Sequence, residues 1–177
     1  MRLSQGIEWA LHCCHALAEA PDGSSLPVQQ LAALHGGNPA YLAKHLQALS
    51  KAGVVVSVLG PRGGYRLGRP ADQIRLLDVV DAIEGSSPVF LCTEIRQRGP
   101  AALPPANYRA PCAIAAAVSS AEDAWRQALA STTIADIVTA SRRQAPEAVT
   151  ATARWLRETV DARSRGQADE QNRKADG

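Results

Sequence analysis

The chain of 177 residues has few aromatic side chains and no long apolar run. Phenylalanine, tyrosine and tryptophan together make up 4% of the sequence, which favours a helix-rich fold with a thin core. No segment approaches the roughly 18 consecutive apolar residues that a membrane span requires. The N-terminus carries Glu8 and His12 where a signal peptide has its apolar stretch. We therefore expect a cytoplasmic protein that does not associate with membranes.

Acidic residues are missing from residues 23–71, although the net charge of the whole chain is only +2. The basic residues of this stretch are Lys44, Lys51, Arg62, Arg66 and Arg69. A segment that carries only positive charge favours a polyanionic partner such as a nucleic acid.

Cysteine is also scarce, with four residues in the chain. In a reducing compartment these are expected to be metal ligands, redox groups or buried apolar residues rather than structural disulfides. The chain has no Cys-x-x-Cys motif, no phosphate-cradling glycine loop and no nucleophile elbow. The sequence therefore argues against a thiol oxidoreductase, and we expect a protein that is not an enzyme.

Apolar periodicity and turn residues predict a winged helix-turn-helix in the first half of the chain. Helices are expected over residues 4–20, 28–35 and 39–52, and the last two are joined by a glycine turn. A β-branched run, a glycine-rich turn and a second short strand then predict a hairpin over residues 54–67. A hairpin that directly follows a helix-turn-helix is a wing, so residues 1–85 are predicted to bind DNA.

The second half of the chain is predicted to be helical around one long loop. Residues 86–111 form a proline-rich loop that, with the residue after it, contains Cys92 and Cys112, and loops of this length are often functional. Residues 112–162 read as a helical dimerisation region, in which Ile114 and Trp125 belong to a heptad-like seam. Further helices are expected over residues 133–141 and 146–160, packed around this seam. Residues 163–177 read as a disordered tail. The fold class is mainly α with a small β-wing and a long dimerisation helix.

The second helix of the helix-turn-helix is the candidate DNA reader. Asn38 is its expected N-cap, close to base edges or phosphate, while Tyr41, Lys44 and Gln47 face away from the core. Arg62 lies at the tip of the predicted wing, where a side chain can reach a minor groove. The expected partner is double-stranded operator DNA, bound by a symmetric homodimer.

Three segments resemble the Rrf2 family of bacterial winged-helix transcription regulators. They are PAYLAKHL from Pro39, GPRGGYRL from Gly60 and LLDVVDAIEG from Leu76. The resemblance implies a homodimer that binds partly palindromic operators as a repressor. In many members an iron–sulfur cluster in the loop tunes DNA affinity.

The loop departs from the commonest cluster-binding pattern, which has three cysteines. Here Cys92 and Cys112 stand alone, with Asn107 and Tyr108 where another cysteine would be expected. The segments EWALHCC from Glu8 and CTEIRQRG from Cys92 instead resemble the RsrR-type subgroup of [2Fe–2S] redox regulators.

Two thiolates leave a [2Fe–2S] cluster two protein ligands short. Glu8 and His12 are four residues apart on one helical face, so both can approach one atom. In the family, the first helix of one subunit approaches the loop of the other. The resemblance therefore implies a cluster held by Cys92 and Cys112 of one subunit and by Glu8 and His12 of its partner. His15, on the same face, is the alternative to His12.

The loop cysteines allow a second interpretation within the same family. A regulator without a cluster could use Cys92 and Cys112 as a thiol–disulfide switch, or respond to a protein partner. The other two cysteines are adjacent: Cys14 falls on the apolar side of the first helix and is expected to be buried, and Cys13 lies at its flank.

Overall fold

A computed structural model describes residues 3–60 and 63–175 of the chain, with side chains as far as residue 166. The described residues form seven α-helices and one two-stranded antiparallel sheet, which confirms the predicted fold class. The helices and strands are α1 (Gln5–Glu19), α2 (Val28–Leu34), α3 (Pro39–Lys51), β1 (Val55–Val58), β2 (Gly64–Leu67), α4 (Leu76–Glu84), α5 (Ala113–Ala130), α6 (Ile134–Gln144) and α7 (Pro146–Ala175). Within the described part of the chain, no helix has the length and apolarity needed to cross a membrane.

The core of the protein is built from the apolar faces of α1, α3 and the elements around them. Helix α3 contributes Leu42, Leu46 and Leu49, which are at most 1% exposed. Their spacing of three and four residues places them on one helical face. Cys13 and Cys14 are also buried in this core, and burial raises the pKa of the Cys13 thiol to about 12 and that of Cys14 further. Both therefore remain protonated and pack as small apolar residues.

The wing consists of β1 and β2, which pair in antiparallel register with Val55 opposite Leu67 and Val58 opposite Gly64. A third segment joins its edge, because Leu26 and Tyr65 exchange two backbone hydrogen bonds of 2.9 and 2.8 Å. This contact is close, since a Cβ atom added to Gly64 would collide with the backbone of Leu26. The wing is thus attached, at the end of β2 nearest its turn, to the loop between α1 and α2.

Helix α5 is attached to the rest of the protomer mainly through α4. The guanidinium of Arg126 donates two hydrogen bonds, of 3.0 and 2.7 Å, to the carboxylate of Asp81. No residue of α5 is buried, and Ile114, at one end of the predicted seam, is 67% exposed. The apolar seam of α5 is therefore open to solvent in the protomer.

Helices α6 and α7 do not pack around this seam, contrary to the sequence-based expectation. They pack instead against α1 and against each other. Ile134 and Leu156 are the buried anchors, at 1% and 0% exposure. Arg142 of α6 adds an ion pair with Glu19 of α1, at 3.2 Å. This arrangement covers the C-terminal part of α1 and leaves α5 on its own.

The sequence predicts a disordered tail over residues 163–177, and the structure has helix over most of that segment. Helix α7 continues through Ala175, and residues 176–177 lie outside the described part of the chain. The segment is rich in alanine, arginine, glutamine, glutamate and lysine, which are good helix formers. Such a sequence extends a helix that is already nucleated, even without apolar residues of its own. The sequence shows that this segment lacks periodic apolar residues, but it does not show that α7 continues through it.

Candidate nucleic-acid interface and cysteine loop

The reader helix α3 begins at a well-formed cap. The side-chain oxygen of Asn38 accepts hydrogen bonds from the backbone N–H groups of Ala40 and Tyr41, at 2.8 and 3.2 Å. Pro39 occupies the first helical position, where a missing N–H costs nothing. The predicted N-cap role of Asn38 is confirmed. Its oxygen is engaged in the cap, which leaves its amide N–H groups for any contact with DNA.

The face of α3 opposite the core is polar and basic. Tyr41, Lys44, Gln47 and Lys51 are all exposed, as the sequence predicts. No acidic residue lies between residues 23 and 71, so α3 and the wing carry no negative side chain of their own. Glu84 of α4 lines the same depression as Lys44 and Lys51. A helix of this kind can enter a major groove and contact base edges and phosphates.

The wing contributes Arg66, which is exposed on β2 opposite Val56. The predicted contact at the wing tip, Arg62, lies outside the described residues. A DNA contact from either residue remains a prediction.

Two close contacts join α1 to the reader helix and its turn, and neither was predicted from the sequence. A Cβ atom added to Gly6 would lie 2.6 Å from Cε1 of His45 on α3. A Cβ atom added to Gly37, in the turn before α3, would lie 2.5 Å from Cη2 of Trp9. Both positions must therefore be glycine for α1 to lie this close to α3 and to the turn before it. Gly6, a glycine inside the first predicted helix, is the sequence feature that could have indicated the contact with α3.

His45 is held tightly in this position. Its ring packs edge-on against Tyr41, with ring centroids 4.6 Å apart. Burial, and secondarily the charge of Lys44, lower its pKa. Within the described part of the chain, its buried Nε2 atom has no hydrogen-bond partner. The neutral ring acts as a packing element between α1 and α3.

The loop between α4 and α5 brings Cys92 and Cys112 together. The side chain of Cys92 lies close to those of Cys112 and Glu94. The two thiols are free rather than joined as a disulfide, and Cys92 is exposed while Cys112 is half-buried. Cys112 is the residue directly before α5. The two loop cysteines therefore lie side by side, and their role as a site stays a prediction.

Arg96 and Tyr108 give the loop its shape. Arg96 donates to Glu94 at 2.7 Å and to the carbonyl oxygen of Ala110 at 2.7 Å, and its guanidinium lies 5.1 Å from the ring centre of Tyr108. The Tyr108 hydroxyl donates to the carbonyl of Arg96 and accepts from the N–H of Leu103, both at 3.0 Å. Tyr108 stands where a third cysteine was expected, and it serves as a support for the loop.

The surroundings of Cys112 favour its thiolate. The backbone N–H of Ala115, then that of Ile114, and further Cys92 and the charge of Arg96 lower the pKa of Cys112. These N–H groups lie in the first turn of α5, where they have no partner within the helix, although the sulfur does not complete a regular N-cap hydrogen bond. A thiolate is the form of cysteine that binds metals and reacts as a nucleophile.

The other predicted ligands, Glu8 and His12, lie side by side on the exposed part of α1. The His12 ring lies 5.1 Å from that of His35, at the end of α2. His15 is less accessible, because α6 covers this part of α1, and burial lowers its pKa. Its buried Nε2 has no partner among the described residues. Of the two histidines on this face, His12 is therefore the more accessible donor.

The four predicted ligands do not meet within one protomer. Across the described ranges, no group of three or more histidine, cysteine, aspartate and glutamate side chains is arranged to hold a metal ion. The donors instead form two pairs, Cys92 with Cys112 on the loop and Glu8 with His12 on α1. By chemistry each pair suits one iron of a [2Fe–2S] cluster, since thiolates, imidazoles and carboxylates are all known ligand types for iron.

Comparison with known proteins agrees with the winged-helix architecture. The Rrf2 family model, described as an iron-dependent transcriptional regulator, matches residues 3–140. The B. subtilis global cysteine regulator CymR (YrzC) is 25% identical, with 78% of this chain and 97% of that chain covered and a TM-score of 0.60. The oxidized form of Staphylococcus aureus CymR is also 25% identical, covering 78% of this chain and 96% of that chain with a TM-score of 0.57.

A more distant structure, T. potens IscR, has the same fold. It is 20% identical and covers 82% of this chain and 91% of its own, with a TM-score of 0.62. The family match spans the helix-turn-helix, the wing, the cysteine loop and α5, which together carry the reader helix and both loop cysteines. The chain belongs to the Rrf2 family of DNA-binding transcription regulators.

Proposed function

We propose that the protein is a redox-sensing repressor of the RsrR type, whose operator affinity is set by a [2Fe–2S] cluster. Cys92 and Cys112 of one subunit would hold one iron, and Glu8 and His12 of the partner subunit the other. The single observation that carries this proposal is the division of the donors into two accessible pairs on separate surfaces. When bound, the cluster supplies one-electron exchange.

The protein residues have distinct tasks in this site. Arg96 and Tyr108 hold the loop so that the two thiols stay adjacent, and the N–H groups of α5 favour the thiolate form of Cys112. On α1, the carboxylate of Glu8 and the imidazole of His12 would supply the oxygen and nitrogen ligands of the second iron.

A homodimer is needed to complete the site. The exposed seam of α5 supports this, because an unpaired apolar helix face gains free energy when a second copy covers it. A two-fold dimer also presents two reader helices, which matches a partly palindromic operator.

A displacement of α1 would be transmitted to the DNA-reading surface through two contacts. The contact of Gly6 with His45 joins α1 to α3 itself, and that of Trp9 with Gly37 joins α1 to the turn before it. The two residues of α1 that make these contacts, Gly6 and Trp9, both lie within one helical turn of Glu8. A shift of α1 by the cluster would change the position of α3, because tightly packed contacts of this kind do not deform continuously.

The experiment that tests this function is anaerobic purification followed by an absorbance spectrum and iron and sulfide analysis. We expect a coloured protein with a [2Fe–2S] spectrum, and loss of iron in Cys92→Ala, Cys112→Ala, Glu8→Ala and His12→Ala. Cys13→Ala is the matched control, because this thiol is buried in the core and should not affect the iron content. Oxidised, reduced and cluster-free protein should also differ in DNA affinity, and equal affinities would overturn the redox mechanism.

A second candidate is a cluster-free regulator in which Cys92 and Cys112 form a reversible disulfide. The adjacency of the two thiols and the lowered pKa of Cys112 favour it. Oxidation would remove two electrons and two protons from the pair and pass them to a peroxide or disulfide oxidant. A colourless protein without iron or sulfide, whose DNA affinity changes on disulfide formation, would establish this candidate instead.

A further inference from the structure

The C-terminal helix α7 lies outside the segment that the family model matches, which ends at residue 140. It is nevertheless docked on the DNA-binding domain. Leu156 is completely buried in the core, and Trp155 and Val160 pack against the core. The helix therefore has a fixed position relative to the wing.

From this position α7 sends one side chain to the turn end of the wing, where β2 begins. Nη1 of Arg163 donates to the carbonyl oxygen of Ser25, and Nη2 donates to that of Gly63, both at 2.8 Å. The two carbonyls belong to segments far apart in the sequence. A single planar guanidinium thus joins α7, the loop between α1 and α2, and the wing.

Both carbonyls stand at points that determine where the wing lies. Ser25 directly precedes Leu26, which pairs with Tyr65 of β2. Gly63 directly precedes β2, and its N–H donates to the carbonyl of Gly60 at 2.8 Å to close the turn of the wing. Fixing these two points holds the start of β2 against the loop between α1 and α2.

A two-stranded hairpin needs this support, because an isolated one is at best marginally stable in water. Arginine suits the task better than lysine. Its rigid fork can donate to two acceptors at once, whereas an ammonium is a compact point charge. Hydrogen bonds from a charged donor are also stronger than neutral ones.

We propose that Arg163 is a positioning residue for DNA binding, and that α7 is thereby a working part of the DNA-binding apparatus. Arg163 does not need to contact DNA for this. It holds the turn end of the wing so that the basic residues of the wing meet the DNA backbone in register with α3. This proposal depends on DNA binding by the family and does not depend on the cluster.

The test compares Arg163→Ala, Arg163→Lys and the matched control Arg165→Ala, an exposed residue two positions later on the same helix. The probe is a duplex selected from a random pool by the wild-type protein, and its affinity is measured by fluorescence anisotropy across a salt series. We expect Arg163→Ala to bind several-fold more weakly, with a salt slope lowered by about one for each phosphate that the wing no longer reaches. Arg163→Lys should recover part of the affinity, and Arg165→Ala should bind like the wild type.

A double-mutant comparison with Arg62→Ala separates positioning from direct DNA contact. If Arg163 acts through the wing, the loss in the double variant should be close to that of Arg62→Ala alone. Amide exchange over residues 55–67 should also be faster in Arg163→Ala, with an unchanged thermal midpoint. Wild-type affinity of Arg163→Ala, or additive losses in the double variant, would overturn the proposal. Arg163→Lys retains the charge and provides the same test if the alanine variant fails to fold.

Discussion

The side chains of Cys92 and Cys112 lie next to each other in the loop between α4 and α5, each as a free thiol. Cys92 is exposed, and Cys112 is half-buried at the start of α5. This pair is half of the proposed ligand set. The other half, Glu8 and His12, lies on α1, and among the described residues these donors do not group with the two thiols. A complete cluster site therefore depends on how two copies of the chain meet.

The reactivity of Cys112 gives a first prediction. In cluster-free Cys92→Ala protein, Cys112 should be alkylated by iodoacetamide at lower pH than a thiol of the same chain unfolded in urea. The reason is that the N–H groups of Ala115 and Ile114 lower its pKa in the folded protein. The thiolate fraction of Cys112, and with it the rate of alkylation, should fall only as the pH drops through this lowered pKa.

Mass spectrometry of the alkylated peptide measures this rate residue by residue. Cys13 and Cys14 serve as internal controls, because burial raises the pKa of both and they should stay unlabelled in the folded state. A pH profile of Cys112 that matches the unfolded chain would contradict the position of its sulfur beside the first N–H groups of α5.

A second prediction concerns the approach of α1 to α3. Gly6→Ala should destabilise the protein by about 1–3 kcal/mol, because the added methyl group would overlap the His45 ring. Gly166→Ala is the matched control. A Cβ atom there meets nothing, and alanine is preferred over glycine inside a helix by about 0.5–1 kcal/mol.

Chemical denaturation measures both changes. Opposite signs for the two variants are expected, together with weaker DNA binding for Gly6→Ala only, since His45 belongs to the reader helix. If Gly6→Ala were as stable as the wild type, α1 and α3 could not be in close contact at His45.

A third prediction tests Tyr108 as a support of the cysteine loop. Tyr108→Phe removes the hydroxyl that bonds Arg96 and Leu103 while keeping the aromatic ring under the guanidinium. Amide exchange should become faster over residues 93–110, and the thermal midpoint of the winged helix should be unchanged. Tyr65→Phe, on the wing, is a control that should leave the loop unaffected. Unchanged exchange in Tyr108→Phe would show that the loop is held by other contacts.

Much of the winged helix could be predicted from the sequence because its signals are local. Asn38 and Pro39 fix the start of α3, and the glycine turn and β-branched runs identify the wing. The packing of α6 and α7 could not be predicted, because it depends on which apolar faces meet across the chain. Arg163 shows this most clearly: it bonds residues 138 and 100 positions away, and no local pattern records either contact.

The candidate site was predictable in composition but not in arrangement. The adjacency of Cys92 and Cys112 was expected from their loop, whereas the roles of Tyr108 and Arg96 depend on three-dimensional contacts. Likewise, Glu8 and His12 lie on a polar stripe of α1. The C-terminal part of that stripe is covered by α6, and periodicity alone does not show at which residue the contact with α6 begins.

The most direct test of the shared site is a mixed dimer. One protomer carries Cys92→Ala and Cys112→Ala, and the other carries Glu8→Ala and His12→Ala, each with a different affinity tag. Neither variant should bind a cluster alone. The mixed dimer should regain one complete site, with iron and sulfide for one [2Fe–2S] cluster per dimer, because the thiols of one protomer meet the intact α1 of the other. A mixed dimer without iron, beside a wild-type dimer that holds two clusters, would contradict a site shared between subunits.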